Sequence, residues 1–435
     1  MNEPLAVREA PASYVLEAQR VRPGYKQTEV GGIPEDWEIL TGEQITTLIG
    51  KGSSPRWQGF VYSNSGMLFV TSENVRDGFL DVREPKYLPI AFHEKLKRTK
   101  LQYHDILINL VGASIGRSCQ IQCELGEANI NQAVAVFRVR EQYCSAFIAC
   151  YFQSPLTVDR ILGMQVDAAR PNISLSDLRR FLIPLPTKAE QEAIAEALND
   201  ADALIESLEQ LIAKKRHLKQ GAMQELLSGK KRLPGFSGEW EVKRLGELGH
   251  FLKGSGVRKD KSLSGNLPCI RYGEIYTKHR DYIKAFYSWI SPEVAATARL
   301  LKQGDLLFAG SGETKEEIGK CVAFVEDIVA YAGGDIVILR PEKSSPAFLG
   351  FYLNTASINT QKASRGQGDA VVHISFTALS SIEIAIPKYE EQTAIATILT
   401  DMDADIAALE QQLAKARGIK QGMMQELLTG RIRLV

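Results

Sequence analysis

The sequence predicts an α/β (α+β) protein built twice: two pseudo-repeated globular domains joined by two long helices that form an antiparallel coiled coil. Three observations carry this. Residues Pro186–Lys230 and Pro387–Arg431 align without a gap at an offset of 201, with 26 of 45 positions identical. Shared composition cannot produce that, so the chain is an internal duplication. Each of these stretches repeats apolar residues in alternating steps of four and three, the a/d seam of a coiled coil. Each is preceded by about 150 residues of short β-branched and aromatic runs set between Gly, Asn and Asp clusters, the pattern of many short strands.

Composition fits two or three ordinary domains. The chain has 435 residues, with 52 Lys plus Arg against 52 Asp plus Glu and a net charge of zero. Hydrophobic residues make up 44%, which excludes a disordered chain. Neutrality also speaks against a chain that grips nucleic acid unaided, since such domains are usually basic. Met1–Tyr14 lacks a basic start followed by an apolar core, so no signal peptide is read, and no run of about 18 apolar residues spans a membrane. Six cysteines suit a reducing cytoplasm. Cys119, Cys123, Cys144 and Cys150 lack the paired spacings of a zinc ribbon and read as buried small residues.

Taken in order, residues 1–32 form an N-terminal leader, 33–185 a first globular domain, 186–232 a first helix, 233–386 a second domain and 387–435 a second helix. The domains share landmarks. Ile33-Pro34-Glu35-Asp36-Trp37-Glu38 resembles Gly238-Glu239-Trp240-Glu241. The loop Gly50–Arg56 matches Lys253–Lys259. Asp105-Ile106-Leu107-Ile108 matches Asp305-Leu306-Leu307-Phe308, and Ile115-Gly116-Arg117 matches Ile318-Gly319-Lys320. Strands are expected at Met67–Val70, Ala133–Phe137, Cys269–Tyr272 and Ile336–Leu339, and short helices at Tyr143–Gln153 and Pro346–Asn354. Between the landmarks the two domains diverge, which suggests one job done on two targets.

The seam of the first long helix is Ile194, Leu198, Ala201, Ile205, Leu208 and Ile212. That of the second is Ile395, Leu399, Met402, Ile406, Leu409 and Leu413. At 1.5 Å per residue, about 40 residues reach roughly 60 Å, so the helices can act as rulers. The alternative is that each helix packs separately on its own domain. Gly229 and Gly430 read as left-handed C-terminal caps. Gly221 and Gly422 sit inside the helices at about 1 kcal/mol each relative to Ala, so close packing or approach of a partner is expected there. Glu190-Gln191 and Glu391-Gln392 open both helices, where acidic residues suit the helix dipole.

Catalytic patterns fail. Gly112-Ala113-Ser114-Ile115-Gly116 has the form of a nucleophile elbow, but the second domain keeps its glycines and not the serine. No phosphate loop, dinucleotide loop or zinc-protease motif occurs. A non-catalytic recognition or scaffold chain is therefore expected.

The ordered landmarks Gly24-Tyr25-Lys26-Gln27-Thr28-Glu29-Val30-Gly31, Ile33–Glu38, Arg170-Pro171-Asn172-Ile173-Ser174, Gly304-Asp305-Leu306-Leu307, both Glu-Gln helix starts and both Gln-Glu-Leu-Leu-[Ser/Thr]-Gly ends carry a resemblance over about residues 24 to 435. The chain resembles the specificity subunits of type I restriction-modification enzymes. The resemblance implies that each domain is a target recognition domain reading one half of a bipartite DNA site, and that the coiled coil sets the gap. It further implies double-stranded DNA, two modification (methyltransferase) subunits and restriction/translocase subunits as partners. No cofactor is expected in this chain; S-adenosylmethionine, ATP and Mg would be bound by partner subunits, and the assembled complex would methylate adenine and cleave DNA with ATP. Side chains that bond base edges and phosphates then become candidates: Lys51, Ser53, Ser54, Arg56, Ser72, Asn74 and Arg76 in the first domain, and Lys253, Ser255, Arg258, Lys259, Lys261, Arg271, Tyr272 and Lys278 in the second. The competing readings are a coiled-coil scaffold with two protein-binding modules and, further off, a serine hydrolase at Ser114.

Overall fold

Ile106-Leu107-Ile108 and Leu306-Leu307-Phe308 are apolar without alternation, as expected of strands covered on both faces. The computed structural model describes residues 22–164, 172–368 and 371–434; most of the leader, Arg170 and Pro171 lie outside them. Two compact units result, residues 1–208 with 412–435 and residues 209–411.

In the first unit an antiparallel sheet runs in the order Thr46–Lys51, Val134–Val139, Ile106–Asn109, Ser118–Gln120. In the second unit Gly249–Lys253, Ile336–Pro341, Leu306–Ala309 and Cys321–Ala323 repeat that order. Alternate side chains of a strand point to opposite faces. Ile106 and Ile108 accordingly join one apolar cluster and Leu107 another. Leu306 and Phe308 part from Leu307 in the same way. The topology is duplicated along with the sequence.

The shared Asp explains itself in this frame. Asp105 and Asp305 are fully buried. Each carboxylate takes a two-pronged contact from an arginine on the neighbouring strand, Arg138 (2.7 and 2.8 Å) and Arg340 (2.7 and 2.8 Å). Each also accepts from the backbone N–H three residues earlier, at 2.8 and 2.9 Å. The residue before it takes a positive φ, 70° at His104 and 94° at Gly304. The landmark is a turn anchored by a buried ion pair.

The long helices span Lys188–Leu226 and Tyr389–Leu427. Inside each unit a segment of one runs antiparallel to a segment of the other. Lys420 meets Asp202 at 2.5 Å in the first unit. Lys215 meets Asp405 at 2.8 Å and Lys219 meets Asp403 at 2.8 Å in the second, so positions rise on one helix as they fall on the other. Of the seam, Ile194, Leu198, Leu208, Ile212, Ile395, Leu399 and Ile406 are buried. Ala201, Ile205, Met402, Leu409 and Leu413 are half-buried. Each helix end completes the other repeat's core: Met424, Leu427 and Leu428 pack with Trp37 and Phe147, while Leu226 and Leu227 pack with Phe348 and Leu399.

A joint locks each helix end down. Gly229 and Gly430 are left-handed (φ 69° and 70°), as caps require. They also face a tryptophan: an added Cβ would lie 3.2 Å from Trp240 or 3.1 Å from Trp37. Three residues on, Arg433 forks onto buried Glu190 (2.5 and 2.7 Å) and onto Asp36 (3.0 and 2.8 Å), over the Trp37 ring at 5.9 Å. Arg232 forks onto Glu391 (2.6 and 2.6 Å), over Trp240 at 6.0 Å. The glutamines beside the glutamates cap the domain: Gln191 accepts from Cys144 N and donates to Pro186 O, and Gln392 does the same with Ser345 N and Pro387 O. The Glu-Gln starts therefore do more than match the helix dipole.

Three expectations change. The boundary at residue 32 falls inside a hairpin, Tyr25–Thr28 with Gly31–Pro34, and Tyr25 donates to Gly430 O at 2.7 Å. The strand expected over Cys269–Tyr272 ends at Ile270, and Tyr272–Thr277 is a helix. Glu274 takes the Arg271 N–H at 3.2 Å, a capping bond that turns the chain. Close packing within this chain does not explain Gly221 and Gly422, since an added Cβ at either meets nothing within 4 Å. Gly221→Ala with Gly422→Ala should thus stabilise the isolated chain by up to about 1 kcal/mol each. Urea melts of both variants check this, and a loss of stability would mean that the helices need glycine for their own geometry.

Candidate nucleic-acid interface

Two basic loops leave equivalent edges of the two sheets. In the first unit Lys51 ends its strand, exposed, and the chain turns at Gly52, where a Cβ would lie 1.6 Å from Ile130 O. In the second unit Lys253 ends its strand, and Gly254 lies so close to Gly333 O that a Cβ would be 2.0 Å away. Only glycine allows so close an approach, so both loops are fixed at the root. Ser53 is half-buried and accepts from Gln58 Nε2 (3.1 Å). Ser54 is half-buried, and Arg56 is exposed at the start of a one-turn 3₁₀ helix, Arg56–Gln58. On the other loop Ser255 donates to Thr297 O (2.8 Å), and Arg258 precedes a matching turn, Lys259–Lys261, with all three cations exposed. Residues 51–65 hold two basic and no acidic residues; residues 253–265 hold four basic and one acidic. The neutral chain is locally cationic here.

Ser72, Asn74 and Arg76 line a separate polar cleft of about 700 Å³, joined by Ser114 and Arg117. Asn74 is consumed internally: it accepts from Thr71 N (2.8 Å) and Thr71 Oγ1 (3.0 Å) and donates to Asp81 O (2.8 Å). It holds the turn and has little left to offer a base. Asp81 faces Arg83 (2.7 Å) and Arg76 (3.7 Å), and the Arg83 hydrogen bond holds its carboxyl well below the usual range. The counterparts in the second unit are arranged differently, with Lys278 lining a smaller cleft of about 230 Å³. Arg271 precedes a helix, Tyr272 is exposed on its first turn, and Lys278 lies over the Tyr287 ring at 5.2 Å. Beside it His279 is buried, which pushes its imidazole down to about 4 and keeps it neutral.

Neither serine arrangement assembles a nucleophile. Ser114 Oγ accepts from Asn109 Nδ2 (3.1 Å), and no histidine lines its cleft among the described residues. Ser311 Oγ and His373 Nδ1 are 2.9 Å apart across the Ser311–Gly312 and Val372–His373 ladder. Among the described residues no carboxylate orients that imidazole, so the pair ties two strands. No group of three or more His, Cys, Asp or Glu suited to a metal occurs among the described residues. No helix among them is long and apolar enough to cross a membrane. Residue types pointed to the basic loops but missed the apolar side chains they display: Trp57, Val61 and Tyr62 in one unit and Leu263 in the other are exposed.

A duplicated domain-and-helix chain with a cationic loop on each domain defines a class of two-headed recognition proteins. The chain belongs to the type I restriction modification DNA specificity domain family, whose sequence model matches residues 34–214 and again 237–416. It is 23% identical over 419 residues to the type I restriction enzyme MjaVIII specificity subunit of Methanocaldococcus jannaschii, covering 92% of this chain and 94% of that one. It is 23% identical over 432 residues to the EcoKI specificity subunit of Escherichia coli, covering 92% and 90%. The solved S subunit from M. genitalium shares the fold at TM-score 0.56 and 17% identity, covering 90% of this chain and 96% of that one. A chain from a type I restriction-modification assembly gives 0.55 and 16%, covering 92% and 99%.

Proposed function

We propose that this chain is the DNA-sequence specificity subunit of a type I restriction-modification complex, each domain reading one half of a bipartite target. The observation that carries the reading is the duplication itself, one scaffold kept twice while the loops at equivalent sheet edges differ in sequence. Lys51, Arg56, Lys253, Arg258, Lys259 and Lys261 would hold phosphates and set register, while neighbouring serines and the Ser72 and Tyr272 regions would meet base edges. The helices would set the gap between half-sites and receive two modification subunits. Exposed Leu211 and Leu218, seven residues apart on the first helix, support a partner there. S-adenosylmethionine, ATP and Mg would sit on those partners and on restriction subunits, in the cytoplasm. The zero net charge implies that partners supply much of the phosphate grip.

The test is a salt titration of target-duplex binding by the chain assembled with its modification subunit, the target being set by adenine-methylome sequencing of a host carrying both. The log affinity should fall with log salt by about 0.9 for each phosphate neutralised. Binding that is absent, or indifferent to salt, would return the chain to the scaffold reading.

A further inference from the structure

Among the described residues Trp57 is the most exposed large apolar side chain, at 80%, and it stands on a loop built to be stiff. Gly52 is wedged against Ile130 O at the root. Three backbone bonds close the turn: Gln58 N to Pro55 O (3.0 Å), Gly59 N to Arg56 O (3.2 Å) and Phe60 N to Pro55 O (2.9 Å). Beyond the turn Phe60 meets Phe92 edge-on at 5.4 Å, and Phe92 meets Phe69 at 5.4 Å, so the loop is pinned by an aromatic ladder whose inner rings are buried. Of the loop's three large aromatics, Phe60 anchors, Tyr62 leans on Phe69 at 6.1 Å and Trp57 is held in solvent. Lys51 and Arg56 flank it, and no acidic residue occurs between Glu43 and Glu73. Lys95 adds a third cation over the Phe60 ring, at 6.0 Å. Three cations with no acid between Glu43 and Glu73 match a polyanion, and the flat bases of nucleic acid offer the indole a stacking face. The second unit presents the same kind of device with a different tip, Leu263 at 77% exposed, two residues after the Lys259–Lys261 turn.

We propose that Trp57 is an aromatic wedge that stacks on a base step of the first half-site once a DNA duplex is seated on the Lys51–Arg56 loop. Apolar side chains inserted between base steps unstack and kink the duplex, and stacking is tolerant of base identity. Trp57 would thus add grip and local deformation, reading how easily a step opens rather than its hydrogen-bond edge. This rests on the DNA-reading function above.

The experiment uses the full chain assembled with its modification subunit, as wild type, Trp57→Phe and Trp57→Ala. The emission difference between wild type and Trp57→Phe isolates Trp57 from every other tryptophan. Target duplex should quench that difference emission by more than half. Trp57→Ala should weaken target binding about tenfold or more, while Trp57→Phe stays within a few-fold of wild type. Methylome sequencing of the Trp57→Ala strain should show loss confined to the first half-site's discrimination. Salt-sensitive binding by wild type with unquenched Trp57, or with Trp57→Ala equal to wild type, overturns the wedge and leaves DNA reading intact. No target binding by wild type overturns DNA reading and the wedge with it. Poor assembly of Trp57→Ala with the modification subunit, with affinity unchanged once assembled, assigns the side chain to a protein contact and also overturns the wedge.

Discussion

Arg433→Ala should destabilise the first unit by about 3–5 kcal/mol, the range for removing one partner of a buried ion pair. Glu190 is fully buried, and its carboxylate takes both prongs of the Arg433 guanidinium at 2.5 and 2.7 Å. Without the arginine that charge is left unpaired in low dielectric. Asp36 is more exposed and contributes less, because solvent screens it. Arg433→Lys should recover only part of the loss, since one ammonium cannot fork onto two carboxylates. Arg232→Ala should do the same to the second unit through Glu391, which is also buried. Hydrogen exchange of each variant checks both size and place. Arg433→Ala should release amides of residues 33–208, and Arg232→Ala those of 237–411. Unchanged protection in either would show that helix packing alone holds the joint.

Much of the architecture was legible in the sequence because periodicity and repetition are written locally. Steps of four and three gave the seam, and Gly229 and Gly430 gave the caps. The joints were not legible. Glu190 lies 243 positions from Arg433 and Glu391 lies 159 from Arg232, so each acid had only its own helix turn to explain it. The candidate interface divides the same way. Lysines and arginines on a Gly/Ser loop announce exposure by type, and those of the two loops are exposed. Asn74 has the right chemistry, but its hydrogen bonds close a turn with Thr71 and Asp81. Trp57 fails in the other direction. A tryptophan between short strands reads as core, and nothing in its neighbourhood says that Phe60 packs on the buried rings instead. A strand is expected through Arg271 and Tyr272 as the counterpart of Met67–Val70; the Glu274 cap that ends it is a tertiary choice among short-range options.

Replacing residues 33–185 with the corresponding domain of another family member should change one half of the methylated target completely and leave the other half unaltered. The effect is all-or-none because specificity at a half-site comes from the side chains at its own grooves. The structure adds a condition on the donor. The replaced segment carries Asp36 and Trp37, on which Arg433 docks, and Pro34, which sits so near Gly430 that an added Cβ would come within 2.5 Å of its ring. It also carries the strand Glu38–Thr41, which pairs with Leu182–Leu185 and hands the chain to the helix. A donor that keeps an acid, a tryptophan and a strand pair of matched length at these places preserves the joint. Its chimaera should then assemble and methylate at a new first half-site with the old gap. A donor lacking the acid and tryptophan leaves Arg433 gripping Glu190 alone beside a cavity where the indole was. That chimaera should melt earlier by several kcal/mol, since large-to-small changes at such a site cost about 3–5 kcal/mol, before its specificity can be read. Adenine-methylome sequencing of both chimaeras, with their melting curves, separates the two effects. If the well-matched chimaera alters both half-sites, the domains do not read independently and the duplication has another purpose.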